Sequence, residues 1–310
     1  AWAAHDVYKP IWLLSLWGML AGQSALLLAL SWSKSVLSNA RVGWQPSKRT
    51  VWTAMAIGWV VLGSLALWLR LRDLTAEPIH HDEVTVYAFT ETVFTQGFPG
   101  GQVHPDIPFG YAATNELCYF FNAIAELFFD DPLLVIRVPA VIWSMLTLVL
   151  LAYVGWKWFD GYVGAVAAVL FAVSPHMIGF ADFGRYLSQV QFFSVLTMYL
   201  TYEAVRGVGR PNIPLMWGAT VSFIAMYLSW EGTGMFGFGL ALAVFFHRRR
   251  HLQPLLSSPH LYMASTVLVL SVIAQNAHRI MQQTQRLWYG EGISSLTIKP
   301  MWRFPFFQHD

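Results

Sequence analysis

Apolar runs recur along this chain at residues 11–32, 51–69, 133–156, 162–181, 185–205, 213–230, 234–246 and 261–275, parted by polar connections. About 20 apolar residues in a helix cross the hydrocarbon of a bilayer. A helix also satisfies every backbone polar group within its own segment, which lipid requires. The pattern predicts an all-α, polytopic helical membrane protein with about eight transmembrane helices. The run at 234–246 is short and glycine-rich, and the one at 261–275 only just reaches spanning length. The first run continues at full spanning length, unlike the short apolar core of a cleavable leader.

Residues 71–132 break this rhythm and hold ten of the seventeen acidic residues. Within them, residues 111–129 put Leu117, Phe120, Phe121, Ile124 and Phe128 on one helical face, with Asn115, Glu116, Asn122 and Glu126 elsewhere. That spacing predicts an amphipathic helix lying in the membrane interface. Residues 83–94 predict a shorter helix. Gly97-Phe98-Pro99-Gly100-Gly101 and Pro105-Asp106-Ile107-Pro108 predict turns.

Composition agrees. Charged residues make up 12% of the chain and hydrophobic ones 56%, with a mean hydropathy of +0.47. Soluble domains carry about 25% charged residues. A net charge of +2 gives no case for a nucleic-acid partner, and the single Cys118 forms no intrachain disulfide. Charge does fix an expected orientation, because short cytoplasmic loops collect Lys and Arg. With residues 1–10 outside, the inner connections hold Lys34, Arg41, Lys48, Arg49, Lys157, Arg206, Arg210, Arg248, Arg249 and Arg250, ten of nineteen basic residues. The acidic loop, Asp182 and Glu231 then face the extracytoplasmic side of a plasma (inner) membrane.

Candidate chemistry clusters at that face. His80-His81-Asp82-Glu83 stands at the edge of a span. Asp82 or Glu83 can act as a general base, or Asp82 can hold a divalent cation, with His81 beside them. The plainer alternative is a helix start, with Asp82 as cap and Glu83 favouring the dipole. On a helix entering at the next outer turn, Asp182, Arg185 and Gln189 fall at i, i+3 and i+7 and share a face. An arginine there can hold a phosphate bidentately, or simply pair with Asp182. Glu231 lines the same region or caps a helix. Arg137 either snorkels to headgroups or meets a phosphate. Trp143 and Trp230 are expected in interfacial belts, or stacked on a sugar ring.

Three features in order resemble the GT-C membrane glycosyltransferases that use polyprenyl-phosphate sugars, in their protein-mannosyltransferase and aminoarabinose-transferase branch. Asp82-Glu83 opens the first outer loop. Arg137-Val138-Pro139 begins the span after an amphipathic helix. Ala172-Val173-Ser174-Pro175 leads to Gly184-Arg185-Tyr186. The likeness covers residues 51–210, flanked by an extra N-terminal segment (1–50), further spans (211–275) and an outer tail (276–310). In many members an acid stands two positions before the turn arginine; here that position is Phe183, and Asp182 is one earlier.

The resemblance implies transfer of a sugar from a polyprenyl-phosphate donor to an acceptor hydroxyl, with inversion. Asp82 or Glu83 would be the base, Arg185 and Arg137 the phosphate contacts, and His81, Asp182, Gln189 and Glu231 would line the site. A divalent cation (Mg or Mn) would be an optional cofactor at Asp82. The acceptor is open, and a chain ending at Asp310 is expected to be a fragment or to need a protein partner. Two rival readings stand beside this one: a non-catalytic membrane subunit of a larger assembly, and a transporter, which would show interrupted helices.

Overall fold

A computed structural model of the chain describes residues 48–101, 110–111, 115–207, 209–249 and 252–288. The run predicted at 11–32, the turn at 105–108 and the tail beyond 288 lie outside the described residues. The chain divides into two compact units at Trp59 and Val60, and the packing below is all within Val60–Asp310.

The architecture is helical, as the apolar periodicity predicts. Helix α1 (Lys48–Leu71) leads by a short turn to α2 (His81–Gln96). A ribbon of two short antiparallel strands, β1 (Gly100–Gly101) and β2 (Gly110–Tyr111), precedes α3 (Glu116–Glu126). There follow α4 (Pro132–Trp158), α5 (Gly161–Val173), α6 (Pro175–Asp182), α7 (Leu187–Val205) and α8 (Ile213–Ser229). A 3-10 turn (Glu231–Thr233) joins α9 (Gly234–Arg248), then α10 (Leu252–Leu256) and α11 (Pro259–Trp288).

Among the described residues two helices are long and apolar enough to cross a membrane, Pro132–Trp158 and Pro259–Ala277. The second extends the run that only just reached spanning length. A third crossing counts α5 and α6 together, bent by 59°. The predicted run 162–181 is therefore interrupted, and the cause is local. Ser174 turns extended, and Pro175 has no N–H to continue the ladder.

Helix α4 is the axis of the unit. It starts on an Asp131 cap whose side chain accepts from the Leu133 N–H at 2.9 Å, with Pro132 in the first turn. From Arg137 to Trp158 it rises about 32 Å, close to the hydrocarbon thickness. Its far end carries a ring cluster with α7: Tyr153, Trp156, Trp158, Tyr199 and Tyr202. That is the placement expected of an interfacial belt. Close packing against α5 demands glycine at Gly155 and Gly164, since a Cβ on Gly164 would come within 2.4 Å of the Ala152 carbonyl.

Helix α3 is inside out for a water-facing element. Phe120, Ile124 and Phe128 are exposed, whereas Glu116 and Asn122 are buried. The amphipathic reading holds, over a shorter span than 111–129. Its inward face packs Tyr119 and Ala123 with Val86 and Val93 of α2 and with Val135 and Ile136 of α4. This cluster seats the start of α2 against the start of α4, and the candidate residues meet there.

Candidate active site

Helix α2 begins at His81, so Asp82 and Glu83 occupy its first turn. The cap is His80 rather than Asp82. Its Nδ1 accepts the Asp82 N–H at 3.3 Å, and its own N–H donates to Glu83 Oε2 at 2.9 Å. The side chain of His81 lies outside the described residues.

Consecutive residues on a helix diverge by about 100°, so the two carboxylates part company. Glu83 points inward and is fully buried. Its Oε1 accepts from Arg137 Nε at 2.9 Å and from the Gly184 N–H at 2.7 Å. Its Oε2 accepts from Arg137 Nη2 at 2.7 Å and from His80. Burial alone would raise the Glu83 pKa, but the Arg137 fork and the His80 and Gly184 amides outweigh it and hold the carboxyl below its usual range.

Arg137 is as fully engaged as its partner. Besides its fork on Glu83, Nη1 donates to the carbonyls of Leu74 (2.7 Å) and Glu77 (3.1 Å), and Nη2 to that of Pro78 (3.3 Å). Five hydrogen bonds consume the five N–H groups of a guanidinium. In this arrangement all its donors are spent inside the protein, and none is directed at a headgroup or a phosphate. The Glu83 carboxylate is likewise engaged, accepting two hydrogen bonds on each oxygen. Together they clamp the α1–α2 connection to α4.

Asp82 faces the other way. Its side chain is 43% exposed, and Oδ2 accepts from Arg185 Nη1 at 2.7 Å. Arg185 is not on a helix shared with Asp182 and Gln189, contrary to the i, i+3, i+7 spacing. Asp182 ends α6, Arg185 sits in the turn that follows, and Gln189 lies in α7. Arg185 therefore pairs across 103 residues with Asp82 rather than locally with Asp182. Its guanidinium lies over the rings of Phe183 (5.6 Å) and Tyr186 (5.0 Å), and its Nε is buried without a hydrogen-bond partner.

The turn fits only because residue 184 is glycine. A Cβ there would lie 2.6 Å from Ile136 and 3.0 Å from Glu83 Oε1. Behind Arg185, Tyr186 stacks on Trp230 with centroids 5.6 Å apart and planes 17° from parallel. Glu231 begins the 3-10 turn next to it, within electrostatic reach of Tyr186. Gln189 is buried, with its Nε2 unsatisfied. Trp143 is half-buried and packs against the rings of Phe121, Phe192 and Phe193. Asp182 lies within electrostatic reach of Arg70 and Arg137, and its Oδ1 is buried without a hydrogen-bond partner.

A family model for dolichyl-phosphate-mannose-protein mannosyltransferases matches residues 117–277. The chain belongs to this family. No curated protein matches it. Membership makes the chain a membrane glycosyltransferase of the GT-C type and implies a lipid-linked sugar donor. The stretch matched to the mannosyltransferase family includes Arg137, Asp182, Arg185, Gln189 and Glu231, while Asp82 and Glu83 precede it. Geometry alone joins those two acids to the matched residues.

The donor set around Asp82 does not suit a divalent cation. Its described neighbours are a guanidinium on Oδ2 and a histidine Nδ1 already accepting an amide proton. Among the described residues no three His, Cys, Asp or Glu side chains converge. Hard cations need several oxygen ligands, so no step is derived through a metal.

Two further residues have roles that linear spacing does not signal. Gln275 of α11 donates through Nε2 to Glu116 Oε2 at 3.1 Å, tying the last helix to α3. Arg70 at the end of α1 is wholly buried.

Proposed function

We propose that this chain transfers a sugar from a polyprenyl-phosphate donor to an acceptor hydroxyl at the extracytoplasmic membrane face. The observation that carries the reading is the half-exposed Asp82–Arg185 pair at 2.7 Å, standing beside a saturated Glu83–Arg137 clamp. Asp82 takes the acceptor's hydroxyl proton while that oxygen attacks the anomeric carbon. The bond from that carbon to the phosphate oxygen breaks, and the electron pair leaves with the polyprenyl phosphate. The leaving group's charge rises from one negative toward two. Its second ionisation lies near pH 6, so it departs without a general acid.

Charge moves in step with the chemistry. As Asp82 gains a proton it ceases to be the counterion of Arg185, just when the phosphate gains charge. Arg185 is thus released from one anion to stabilise the other. A single displacement inverts the anomeric centre. Glu83 and Arg137 act by position, and Tyr186, Trp230, Gln189 and Glu231 form the wall behind the arginine.

A transporter would also have a broken helix, and α5–α6 is one. The break has a chemical partner inside the protein and no matching second break among the described residues, so the enzyme reading stands first. The test is transfer of radiolabelled sugar from a panel of polyprenyl-phosphate donors in membranes, wild type against Asp82→Asn. Loss in a folded variant supports the mechanism. Equal transfer removes Asp82 from the chemistry, and a product that retains the donor's configuration removes the single displacement.

A further inference from the structure

Arg70 stands in the last turn of α1, where a basic residue near a membrane edge would normally reach for headgroups or water. It is fully buried instead, among the largest side chains with no exposure. Nε donates to Ser144 Oγ of α4 at 2.8 Å, and Nη1 to the Ala66 carbonyl of its own helix at 3.0 Å. The remaining bonds go to α5: Nη1 to the Ala172 carbonyl at 3.1 Å and Nη2 to the Phe171 carbonyl at 3.3 Å.

Those two carbonyls are among the ones the helix break strands. In a continuous helix the carbonyl of residue 171 would accept from the N–H of residue 175, which is proline. The carbonyl of 172 would accept from 176, but the extended Ser174 turns the chain away. The positive side chain also sits at the negative end of the α5 dipole.

From that bend α6 runs eight residues, about 12 Å, to Asp182 and the Gly184-Arg185 turn. A 10° change in the bend swings its far end by about 2 Å, more than a hydrogen bond tolerates. We propose that Arg70 is a positioning residue: by taking the carbonyls left at the Ser174-Pro175 break it sets the α5–α6 angle, and so decides where Arg185 meets Asp82. The consequence for transfer rests on the glycosyltransferase reading; the geometric claim does not.

The test keeps the two apart. Cysteines replace His80 and Phe183, whose rings are 5.3 Å apart, and a short thiol crosslinker reports their proximity. The native Cys118 does not compete, because burial pushes its thiol up to about 12. In the full-length protein, Arg70→Met should lower thermal stability, crosslink yield and transfer, the last on the order of 100-fold, as for an ångström-scale misplacement. Adding Pro175→Ala restores an N–H to the Phe171 carbonyl without restoring the bend. Stability should then recover while crosslinking and transfer stay low.

Recovery of all three would show that Arg70 merely satisfies carbonyls, and would overturn the proposal. Should Arg70→Met fail to insert, Arg70→Lys keeps the charge but cannot reach four acceptors at once. It should insert, crosslink poorly and lose kcat more than donor KM. Normal crosslinking in Arg70→Lys overturns the proposal equally. If no donor supports transfer in the wild type, the glycosyltransferase reading fails, and the crosslink and stability results still decide the role of Arg70.

Discussion

Asp82 and Glu83 are neighbours with the same chemistry, and their geometry predicts opposite phenotypes for the same amide substitution. Glu83→Gln puts an NH2 group where a carboxylate oxygen now accepts two N–H donors, so donors face donors and the Arg137 charge is left buried. Removing one member of a buried ion pair costs about 3–5 kcal/mol. At roughly 2–4 °C per kcal/mol the melting temperature should fall by about 6–20 °C. Asp82→Asn removes one ion pair between side chains 43% and 25% exposed. Exposed pairs contribute about 0–1 kcal/mol, so its melting temperature should move by no more than about 4 °C. Transfer should fall by about 10²–10⁴-fold, as for loss of a general base. The assay is thermal unfolding in detergent together with sugar transfer in membranes, run on both variants. A Glu83→Gln protein that melts like the wild type yet transfers nothing would make Glu83 the base and refute this division of labour.

Gly184→Ala should behave like a partial Glu83→Gln, since its Cβ would sit 2.6 Å from Ile136 and push the turn off the Glu83 carboxylate; a melting scan that matches the wild type would refute the fit described here. Arg185→Lys keeps a positive charge but not the forked donors, so kcat should fall more than donor KM; a change confined to KM would make the arginine a ground-state contact only. Because the folded Glu83 pKa lies below its ordinary 4.5, its stabilisation is complete above about pH 4.5 and drains as pH falls through the folded value. The gap in melting temperature between wild type and Glu83→Gln should therefore be constant from neutral pH down to about 5 and close below that, and a gap that closes at higher pH would contradict the sign.

The membrane class was legible because hydropathy is a local signal. So was the meeting of Asp82-Glu83, Arg137 and the 184–186 turn in one place, through the family resemblance. The two-faced character of α3 followed from period alone, and exposed Phe120 and Ile124 opposite buried Tyr119 and Ala123 agree with it. Partner choice was not legible. Arg137 and Arg185 are both arginines near an acid, yet Arg137 is clamped on Glu83 from 54 residues away while Arg185 reaches Asp82 across 103. The break at Ser174-Pro175 offered a clue in its proline, but an apolar run of full spanning length outvoted it. Arg70 gave no signal, because three of its four acceptors are backbone carbonyls, which every sequence has, and the fourth is a serine hydroxyl 74 residues away.

The two carboxylates and the turn form a register. Glu83 accepts from the backbone of residue 184, and Asp82 accepts from the side chain of residue 185, so the pairing runs antiparallel, one residue apart on each side. The inner bond is short and buried, from a backbone N–H to a carboxylate that three further hydrogen bonds hold still; the outer one is a half-exposed pair of flexible side chains. A rigid bond one residue from a flexible one acts as its ruler. It lets Arg185 leave Asp82 for a phosphate and return without the turn drifting. On this argument the buried Glu83 serves catalysis through the placement it enforces, and the most informative double variant joins Glu83→Gln with Asp82→Asn. If Glu83 acts only through the register, the double variant should lose no more transfer than Asp82→Asn alone, because a turn held in place has nothing left to serve once the base is gone. Losses that multiply instead would mean that Glu83 contributes to the transition state independently of Asp82.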